Sequence, residues 1–438
     1  MLLRDAILLL ALGPLVYYLL TLWASSVYFW KNRQPLAGRP EFRPPVSILK
    51  PIRGLDREAY ENFASFCVLN YPQYEILFCV NSMSDPAVSV VEDLQRDFPE
   101  RSIRLLIGAP EIGASGKVNK LCRLVKEASY DHLVISDSDV RVEANYLQDV
   151  VAPFADPKVG AVTVLFRSLT AGSTGAMLDA VGSAVEFAAS ALLAQRLEGI
   201  RFTLGATMAT TKKRLTEIGG FEALANHYVD DYELGRRIAR LGYKVEIART
   251  PVCMIYPRET PLQFLRHELR WSIGLRNVRP RGHAAIGLTL GLPWTILAVL
   301  AAPSTAVALL YVLAYLVLRF AVYLTIGVWG LKDSVVRRTW WLVPVRDAAS
   351  FAVWVVSFFS KRISWRGLEF RVKNGLLTPV GSRSQTAYSV GSARANTALR
   401  LEPAATPHRD GGFRENARIG AVNKSPVSDR VNPRFPHT

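Results

Sequence analysis

The chain has 438 residues, with 53 Lys plus Arg against 37 Asp plus Glu, a formal net charge of +16 and a mean hydropathy of +0.15. A soluble nucleic-acid binder would not be net apolar, and an ordinary cytosolic enzyme would be neither so basic nor so apolar. Residues 44–256 contain 23 basic and 26 acidic side chains, so the basic excess lies elsewhere, mostly beside apolar runs. This distribution predicts a lipid bilayer as partner and no nucleic acid.

The first apolar run extends from residue 6 to residue 30 without a charged side chain. This length is enough to cross the hydrocarbon core of a bilayer as a helix. The run ends in aromatic residues followed by Lys31 and Arg33, not in the small residues of a signal-peptide cleavage site. We therefore predict a transmembrane helix over residues 1–30, with the N-terminus outside and the chain from residue 31 in the cytoplasm.

Residues 31–256 are predicted to form a cytoplasmic catalytic domain. Short apolar runs, typical of strands, alternate there with helical patterns. Strands without strict alternation, joined by helices of about ten residues, predict an α/β fold with a mostly parallel sheet covered on both faces. Ligands bind beyond the carboxyl ends of such strands. The predicted strands are 46–49, 75–80, 103–107, 132–136 and 161–164, and the predicted helices include 59–69, 87–97 and 118–128.

Acidic residues follow two of these strands. Asp85 lies just beyond strand 75–80, and Asp137 and Asp139 follow strand 132–136. Alternate side chains of an extended segment share one face, so Asp137 and Asp139 are candidates to hold one divalent cation that bridges a diphosphate. An isolated Asp-x-Asp also occurs by chance in loops, and the pair alone leaves both interpretations open.

A third acidic site, Asp230-Asp231, precedes a helical pattern. Two acids at a helix start can act as a cap that the helix dipole favours. The functional interpretation is that one carboxylate is a general base, and we assign this role to Asp231, with Asp230 as the alternative.

Residues 257–283 are basic with regularly spaced apolar positions, which predicts an interfacial helix. Within it, Arg270 is suited to clamp phosphate, and the Trp271 indole to cover a sugar or to lie at the membrane interface. A simple juxtamembrane anchor would have the same pattern.

The C-terminal part is predicted to return to the membrane. Residues 284–331 contain one charge, Arg319, and are long enough for two transmembrane helices hinged near residues 302–304. Residues 332–378 form a basic loop whose apolar part, 348–360, is a short span, a re-entrant piece or an interfacial helix. Residues 379–438 have no apolar period and are predicted to be disordered. The apolar run 176–193 is interpreted as core or as a wall of an acceptor site, and the four cysteines show no metal or redox spacing.

The order of these sites resembles the family 2-type inverting glycosyltransferases, which have a nucleotide-sugar-binding GT-A fold. More narrowly it resembles the ceramide glucosyltransferases of glycosyltransferase family 21 and the bacterial relatives that glycosylate ceramide or hopanoid lipids. The resemblance covers about residues 10–330. It is carried by residues 46–54 (VSILKPIRG), Asp85-Pro86-Ala87, residues 117–121 (KVNKL), Asp137-Ser138-Asp139, Asp230-Asp231-Tyr232 and Arg270-Trp271.

For the donor, the resemblance implies that Asp85 helps to seat the uridine. It also implies that Asp137 and Asp139 hold the diphosphate through Mg²⁺ or Mn²⁺. Lys117, or the backbone amides around Gly113 and Gly116, would add to the charge stabilisation.

For the reaction, the resemblance implies that Asp231 is the base and that Arg270 with Trp271 closes the site over the diphosphate. His267 occupies the first position of the family's Gln/Arg-x-x-Arg-Trp motif. The region 184–195 also lacks a histidine that the animal enzymes carry. These two departures concern the first position of the motif and the acceptor pocket.

The predicted function is transfer of a hexose, with inversion, from a UDP-sugar to a hydroxyl of a membrane lipid. Ceramide with UDP-glucose is the first choice, and a hopanoid or another glycolipid precursor the second. A processive polysaccharide synthase is disfavoured by the few spans after the domain and by His267, and a non-catalytic scaffold by the complete set of acidic positions. Arg outnumbers Lys 40 to 13, a bias that is common in GC-rich bacterial genomes, and this ratio favours a bacterial inner membrane as the location. The sequence selects neither the sugar nor the lipid.

Overall fold

A computed structural model describes residues 2–34, 42–170, 172–360, 362–365 and 368–380. The segment predicted to be disordered lies outside these residues, apart from its first two positions. Within the described part, the strands in chain order are β1 (Val46–Pro51), β2 (Tyr74–Val80), β3 (Ser102–Ile107), β4 (His132–Ser136), β5 (Val140–Arg141), β6 (Val159–Thr163), β7 (Phe166–Thr170), β8 (Thr207–Thr211), β9 (Lys244–Ile247), β10 (Val252–Ile255), β11 (Arg362–Trp365), β12 (Leu368–Lys373) and β13 (Leu376–Pro379).

The α-helices of the same residues fall into a group within the catalytic block and a group around it. Ser183–Ala188 is a π-helical segment between α7 and α8, and Tyr323–Gly330 is a π-helical continuation of α14. In chain order the helices are α1 (Leu2–Leu10), α2 (Leu12–Arg33), α3 (Ala59–Cys67), α4 (Ala87–Asp97), α5 (Gly116–Glu127), α6 (Tyr146–Val151), α7 (Thr174–Gly182), α8 (Ala189–Glu198), α9 (Lys212–Glu217), α10 (Asp230–Arg240), α11 (Pro261–Val278), α12 (Pro280–Ile286), α13 (Gly291–Ala301), α14 (Thr305–Val322) and α15 (Val343–Phe359).

The central sheet has seven strands in the order β3-β2-β1-β4-β8-β6-β9. The first four are parallel, β8 runs antiparallel to both of its neighbours, and β9 is parallel to β6. Every residue of β2 is buried, as expected for a strand covered on both faces. The predicted α/β fold with a mostly parallel sheet is confirmed, and the predicted strands correspond to β1, β2, β3, β4 and β6.

Two apolar cores cover the two faces of this sheet. On one face, Phe63 and Phe66 of α3 pack with Ile76 and other alternate residues of the strands. On the other face, Leu121 and Leu124 of α5 pack among the intervening strand residues and the apolar helices. The helices therefore fix the strand ends, where the acidic residues lie.

Among the described residues, four helical stretches are long and apolar enough to span a membrane: Leu2–Arg33, Thr174–Glu198, Thr305–Gly330 and Trp340–Phe359. The pair α12 and α13, bent by 49°, would add a fifth if it forms one broken span. Thr174–Glu198 differs from the others, because 72% of its apolar window is buried inside the protein against 22% for Thr305–Gly330. The interpretation of run 176–193 as core is therefore favoured.

A three-stranded antiparallel sheet, β11-β12-β13, follows α15 and was not predicted. In β12, Phe370 and Val372 are buried whereas Glu369, Arg371 and Lys373 are exposed. The basic residues that suggested a loop are thus the outer face of a strand with period-two alternation.

Candidate active site

Asp85 connects the carboxyl ends of β1 and β2. Both of its carboxylate oxygens lie 3.1 Å from the amide nitrogen of Gly54, and one accepts a hydrogen bond from the amide of Ala87 at 3.0 Å. Gly54 has φ = 69°, a left-handed conformation that strains other residues. Asp85 therefore shapes the loop after β1; its predicted contact with the uridine remains a prediction.

Asp137, directly after β4, forms an ion pair with Lys117. The Lys117 Nζ atom lies 2.6 Å from Asp137 Oδ1, at the start of α5. Burial alone would lower the pKa of Lys117, but the carboxylates of Asp137, Asp230 and Asp231 raise it above its usual value. Lys117 is therefore a fixed positive charge between the two acidic sites, which supports its predicted place near a diphosphate.

Asp139 is the residue that best fits a metal ion. Its Oδ1 atom is buried and has no hydrogen-bond partner within the described part of the chain. Burial, followed by the charges of Asp137 and Asp56, raises the pKa of Asp139 to about 7. A divalent cation would relieve this repulsion, and hard carboxylate oxygens suit Mg²⁺ or Mn²⁺. The residues present therefore fit the predicted metal.

Asp56 was not identified from the sequence. Its Oδ2 atom accepts a hydrogen bond from the hydroxyl of Ser138, the middle residue of the Asp-x-Asp segment. It thus adds a third carboxylate at the same strand end. Asp56 lies more than 80 residues from Asp139 in the chain, and no local pattern marks it.

Lys50, inside β1, belongs to the motif of residues 46–54 but was assigned no role at the site from the sequence. Its Nζ atom is fully buried, donates to the carbonyl of Asp137 at 2.9 Å and lies 3.8 Å from the centre of the Phe66 ring. Burial lowers the pKa of Lys50 to about 7. Lys50 therefore positions the backbone of the Asp-x-Asp segment, and the available signal was a lysine within an otherwise apolar strand.

Asp231 lies in the first turn of α10 and faces the same point as Asp137. A Cβ atom at Gly205 would lie 2.9 Å from Asp231 Oδ2 and 3.7 Å from Asp137 Oδ2. The other oxygen of Asp231 accepts a hydrogen bond from the Tyr232 amide at 2.7 Å. The fold thus brings one carboxylate oxygen of the base candidate and one of the Asp-x-Asp segment close to the same point beside Gly205.

The environments of Asp230 and Asp231 differ. Burial, and then the charge of Asp230, raises the pKa of Asp231 to about 7. Burial also raises the pKa of Asp230, which is only 9% exposed. The positive charge of Lys117 partly offsets this rise. Because Asp231 is the more open of the two and faces Gly205, it is the better placed to meet a substrate.

Arg270 and Trp271 lie on α11, which is hydrogen-bonded to Tyr228 in the loop before α10. The Tyr228 hydroxyl donates to the carbonyl of Arg270 at 3.2 Å and accepts from its guanidinium at 3.4 Å. Trp271 is 46% exposed, and its indole nitrogen donates to His267 Nε2 at 2.8 Å. The predicted clamp residues are therefore tied, through Tyr228, to the segment that carries Asp230 and Asp231.

The C-terminal sheet supports this connection. The Tyr228 amide donates to the carbonyl of Gly375, and the Leu377 amide donates to the carbonyl of Asn226, both at 2.9 Å. Tyr228, Ile273 of α11 and Leu377 also belong to one buried apolar cluster. Strands β12 and β13 thus hold both α11 and the loop before α10, a role that was not predicted from the sequence.

The mostly parallel sheet, with acidic residues at its strand ends, has the architecture of the GT-A class of nucleotide-sugar-binding domains. Residues 6–377 match glycosyl transferase family 21, and the chain belongs to that family. The family resemblance stated from the sequence motifs is confirmed.

Curated relatives include ceramide glucosyltransferase 3 of Caenorhabditis elegans, which is 28% identical over 241 residues, 52% of this chain and 50% of the relative. A ceramide glucosyltransferase of Komagataella phaffii is 33% identical over 143 residues, 31% of this chain and 28% of the relative. The chain therefore spans half or less of these relatives. Among solved structures, a mannosyltransferase of Pyrobaculum calidifontis in complex with GDP-Man and Mn²⁺ is 19% identical, with a TM-score of 0.49 over 80% of this chain and 99% of that one.

Proposed function

We propose that this protein transfers glucose from UDP-glucose to the primary hydroxyl of ceramide, with inversion at the anomeric carbon. The observation that carries the proposal is the approach of one carboxylate oxygen of Asp231 and one of Asp137 to the same point beside Gly205. One carboxylate is thereby available to the acceptor hydroxyl while the other serves the donor diphosphate. The names of the curated relatives support ceramide as the acceptor.

On the donor side, Asp137 and Asp139 are the residues that would hold a divalent metal ion, with Asp56 next to them. When bound, the metal neutralises charge on the diphosphate as UDP leaves. Lys117 adds a fixed positive charge, and Arg270 on α11 supplies a guanidinium suited to phosphate oxygens.

On the acceptor side, Asp231 accepts the hydroxyl proton as the new bond to the anomeric carbon forms. An alcohol is a weak acid, so a carboxylate with a pKa near 7 is a far better base than one at the usual value near 4. Attack from the face opposite the departing UDP gives inversion, because a single displacement reverses the configuration.

The lipid acceptor explains the surroundings of the site. Removing a lipid chain from the bilayer costs about 0.8 kcal/mol per CH₂ group, so the reaction has to take place at the membrane surface. Helix α11 exposes Leu262, Leu265 and Trp271 beside basic residues, a pattern suited to the headgroup region. We infer that the catalytic domain lies on the cytoplasmic side of a bacterial inner membrane.

The test is a transfer assay with full-length protein in detergent micelles. UDP-glucose, UDP-galactose, UDP-glucuronic acid and UDP-N-acetylglucosamine are each offered with ceramide, a hopanoid or diacylglycerol, and the lipid products are identified by mass spectrometry. We expect glucosylceramide from the wild type and none from Asp231→Asn, whereas Asp93→Asn on the exposed face of α4 should retain activity. A product on another lipid would replace ceramide as the acceptor, and no product with any pair would refute the proposal.

A further inference from the structure

Asp179, Glu259 and His267 form a second cluster that the proposed reaction does not use. Asp179 belongs to α7, Glu259 precedes α11, and His267 lies within α11. His267 Nδ1 lies 3.4 Å from Asp179 Oδ2 and 3.9 Å from Glu259 Oε2, and all three atoms are within 4.8 Å of one another. Two carboxylates and an imidazole from separate segments therefore converge on one point.

The converging atoms lack hydrogen bonds. Asp179 Oδ2, Glu259 Oε2 and His267 Nδ1 are buried without a hydrogen-bond partner among the described residues. The Asp179 side chain is only 6% exposed. An unpaired buried carboxylate is costly unless it is neutralised, and a positive charge at the centre of the cluster would stabilise both carboxylates.

His267 does not supply that charge itself. Its Nε2 atom accepts a hydrogen bond from the Trp271 indole at 2.8 Å, so this nitrogen carries a lone pair and the ring is neutral. The only proton that the ring offers to the two carboxylates is then on Nδ1. Two carboxylates consequently face one N–H group.

We propose that Asp179, Glu259 and His267 bind a divalent transition-metal ion, of which Zn²⁺ is the best match. One imidazole nitrogen and two carboxylate oxygens are ligands that Zn²⁺ accepts, at about 2.0–2.2 Å each. A tetrahedron with such bonds has edges of about 3.4 Å. The observed separation of His267 from Asp179 equals this edge, and its separation from Glu259 is only slightly longer.

Metal binding changes the partner of Trp271. A bound ion would be coordinated by His267 Nδ1, so the ring proton would be on Nε2 instead. Two N–H groups, those of His267 Nε2 and Trp271, would then face each other without an acceptor. The indole is thereby released from His267. The metal would thereby link α7 to α11 and change the hydrogen bonding of Trp271, the residue next to Arg270.

The experiment measures bound metal without reference to sugar transfer. Untagged full-length Asp137→Asn/Asp139→Asn protein, in which the donor site has lost its carboxylates, is dialysed against Zn²⁺ in detergent and analysed by mass spectrometry for metal. We expect about one ion per chain. Adding Asp179→Asn should abolish binding, and adding Glu259→Gln should weaken it at least tenfold, whereas adding Asp93→Asn should not change it.

Asp179 is buried within α7, so Asp179→Asn can lose zinc by misfolding. Glu259→Gln is a second test without this drawback, because Glu259 lies before α11 and is less buried. Zn²⁺ should also change the tryptophan emission of the background protein but not that of a further Trp271→Phe variant. The proposal is overturned if the background protein retains no zinc, or if the bound amount is unchanged by both Asp179→Asn and Glu259→Gln. Neither result bears on whether the protein glucosylates ceramide.

Discussion

Replacing Asp231 by Asn tests the chemical core of the proposed reaction. The change is nearly isosteric, and the Asn side-chain oxygen can still accept the Tyr232 amide hydrogen bond that Asp231 accepts at 2.7 Å. The donor residues Asp137 and Lys117 keep their ion pair. We therefore expect the substitution to remove the base and to leave UDP-glucose affinity within a few fold.

The expected loss follows from the role and from the pKa. General-base catalysis contributes about 10²- to 10⁴-fold, equivalent to roughly 3–5 kcal/mol of transition-state stabilisation. Because the pKa of Asp231 is raised to about 7, about half of the carboxylate is ionised at pH 7 and about nine-tenths at pH 8. The wild-type rate should therefore rise through pH 7 and fall about tenfold per pH unit below pH 6.

The assay is glucosylceramide formation at saturating donor between pH 5.5 and pH 9, with UDP-glucose binding measured separately. Asp231→Asn should lose at least about 100-fold in kcat and most of the rise near pH 7. Its thermal stability at pH 8 should not fall, because an ionised carboxylate with a raised pKa opposes folding above its unfolded-state pKa near 4. Near-normal turnover with an unchanged pH profile would refute the assignment, and Asp230→Asn would then be examined as the alternative.

Three further changes probe the metal, the shared glycine and the C-terminal sheet. Asp139→Ala should weaken metal-dependent UDP-glucose binding at least about tenfold, because a ligand is lost; full wild-type activity in excess chelator would contradict this. Gly205→Ala places a methyl group 2.9 Å from Asp231 Oδ2 and should lower kcat by about 10- to 100-fold; unchanged kcat would show that the carboxylate is free to shift. Leu377→Ala opens the buried cluster at a cost of about 2–5 kcal/mol and should reduce both thermal stability and turnover, whereas Leu376→Ala, at a position 43% exposed, should change neither.

Local sequence patterns were sufficient for the framework of the domain. Strands β1, β2 and β4 are buried on both faces, so they appear in the sequence as mostly apolar runs without strict alternation. Because these strands are parallel, their carboxyl ends meet at one edge of the sheet, and the residues after them were recognisable as site candidates. Strand β8 was missed, since its polar-looking Thr207-Met208-Ala209-Thr210-Thr211 run is buried through long-range pairing with β4 and β6.

The residues that the sequence analysis missed are those whose role depends on distant partners. Lys50 donates a hydrogen bond to the carbonyl of Asp137, and Asp56 accepts one from Ser138. The partners in each pair are more than 80 positions apart in the chain. The alternation in β12 is a local pattern, but its basic residues also fit a membrane-flanking loop. Only the packing of the strand against Tyr228 and Ile273 distinguishes a strand from a loop here.

The sequence by itself determined the apolar runs, the uneven distribution of charge and the acidic residues at strand ends, because these depend on residue type and short spacing. Only the tertiary structure decided which acids share a point in space. It placed carboxylate oxygens of Asp231 and Asp137 beside Gly205 and brought Asp179 and Glu259 to His267. Distances of a few ångströms between residues scores of positions apart are set by the packing of whole helices and strands, and one-dimensional spacing does not contain them.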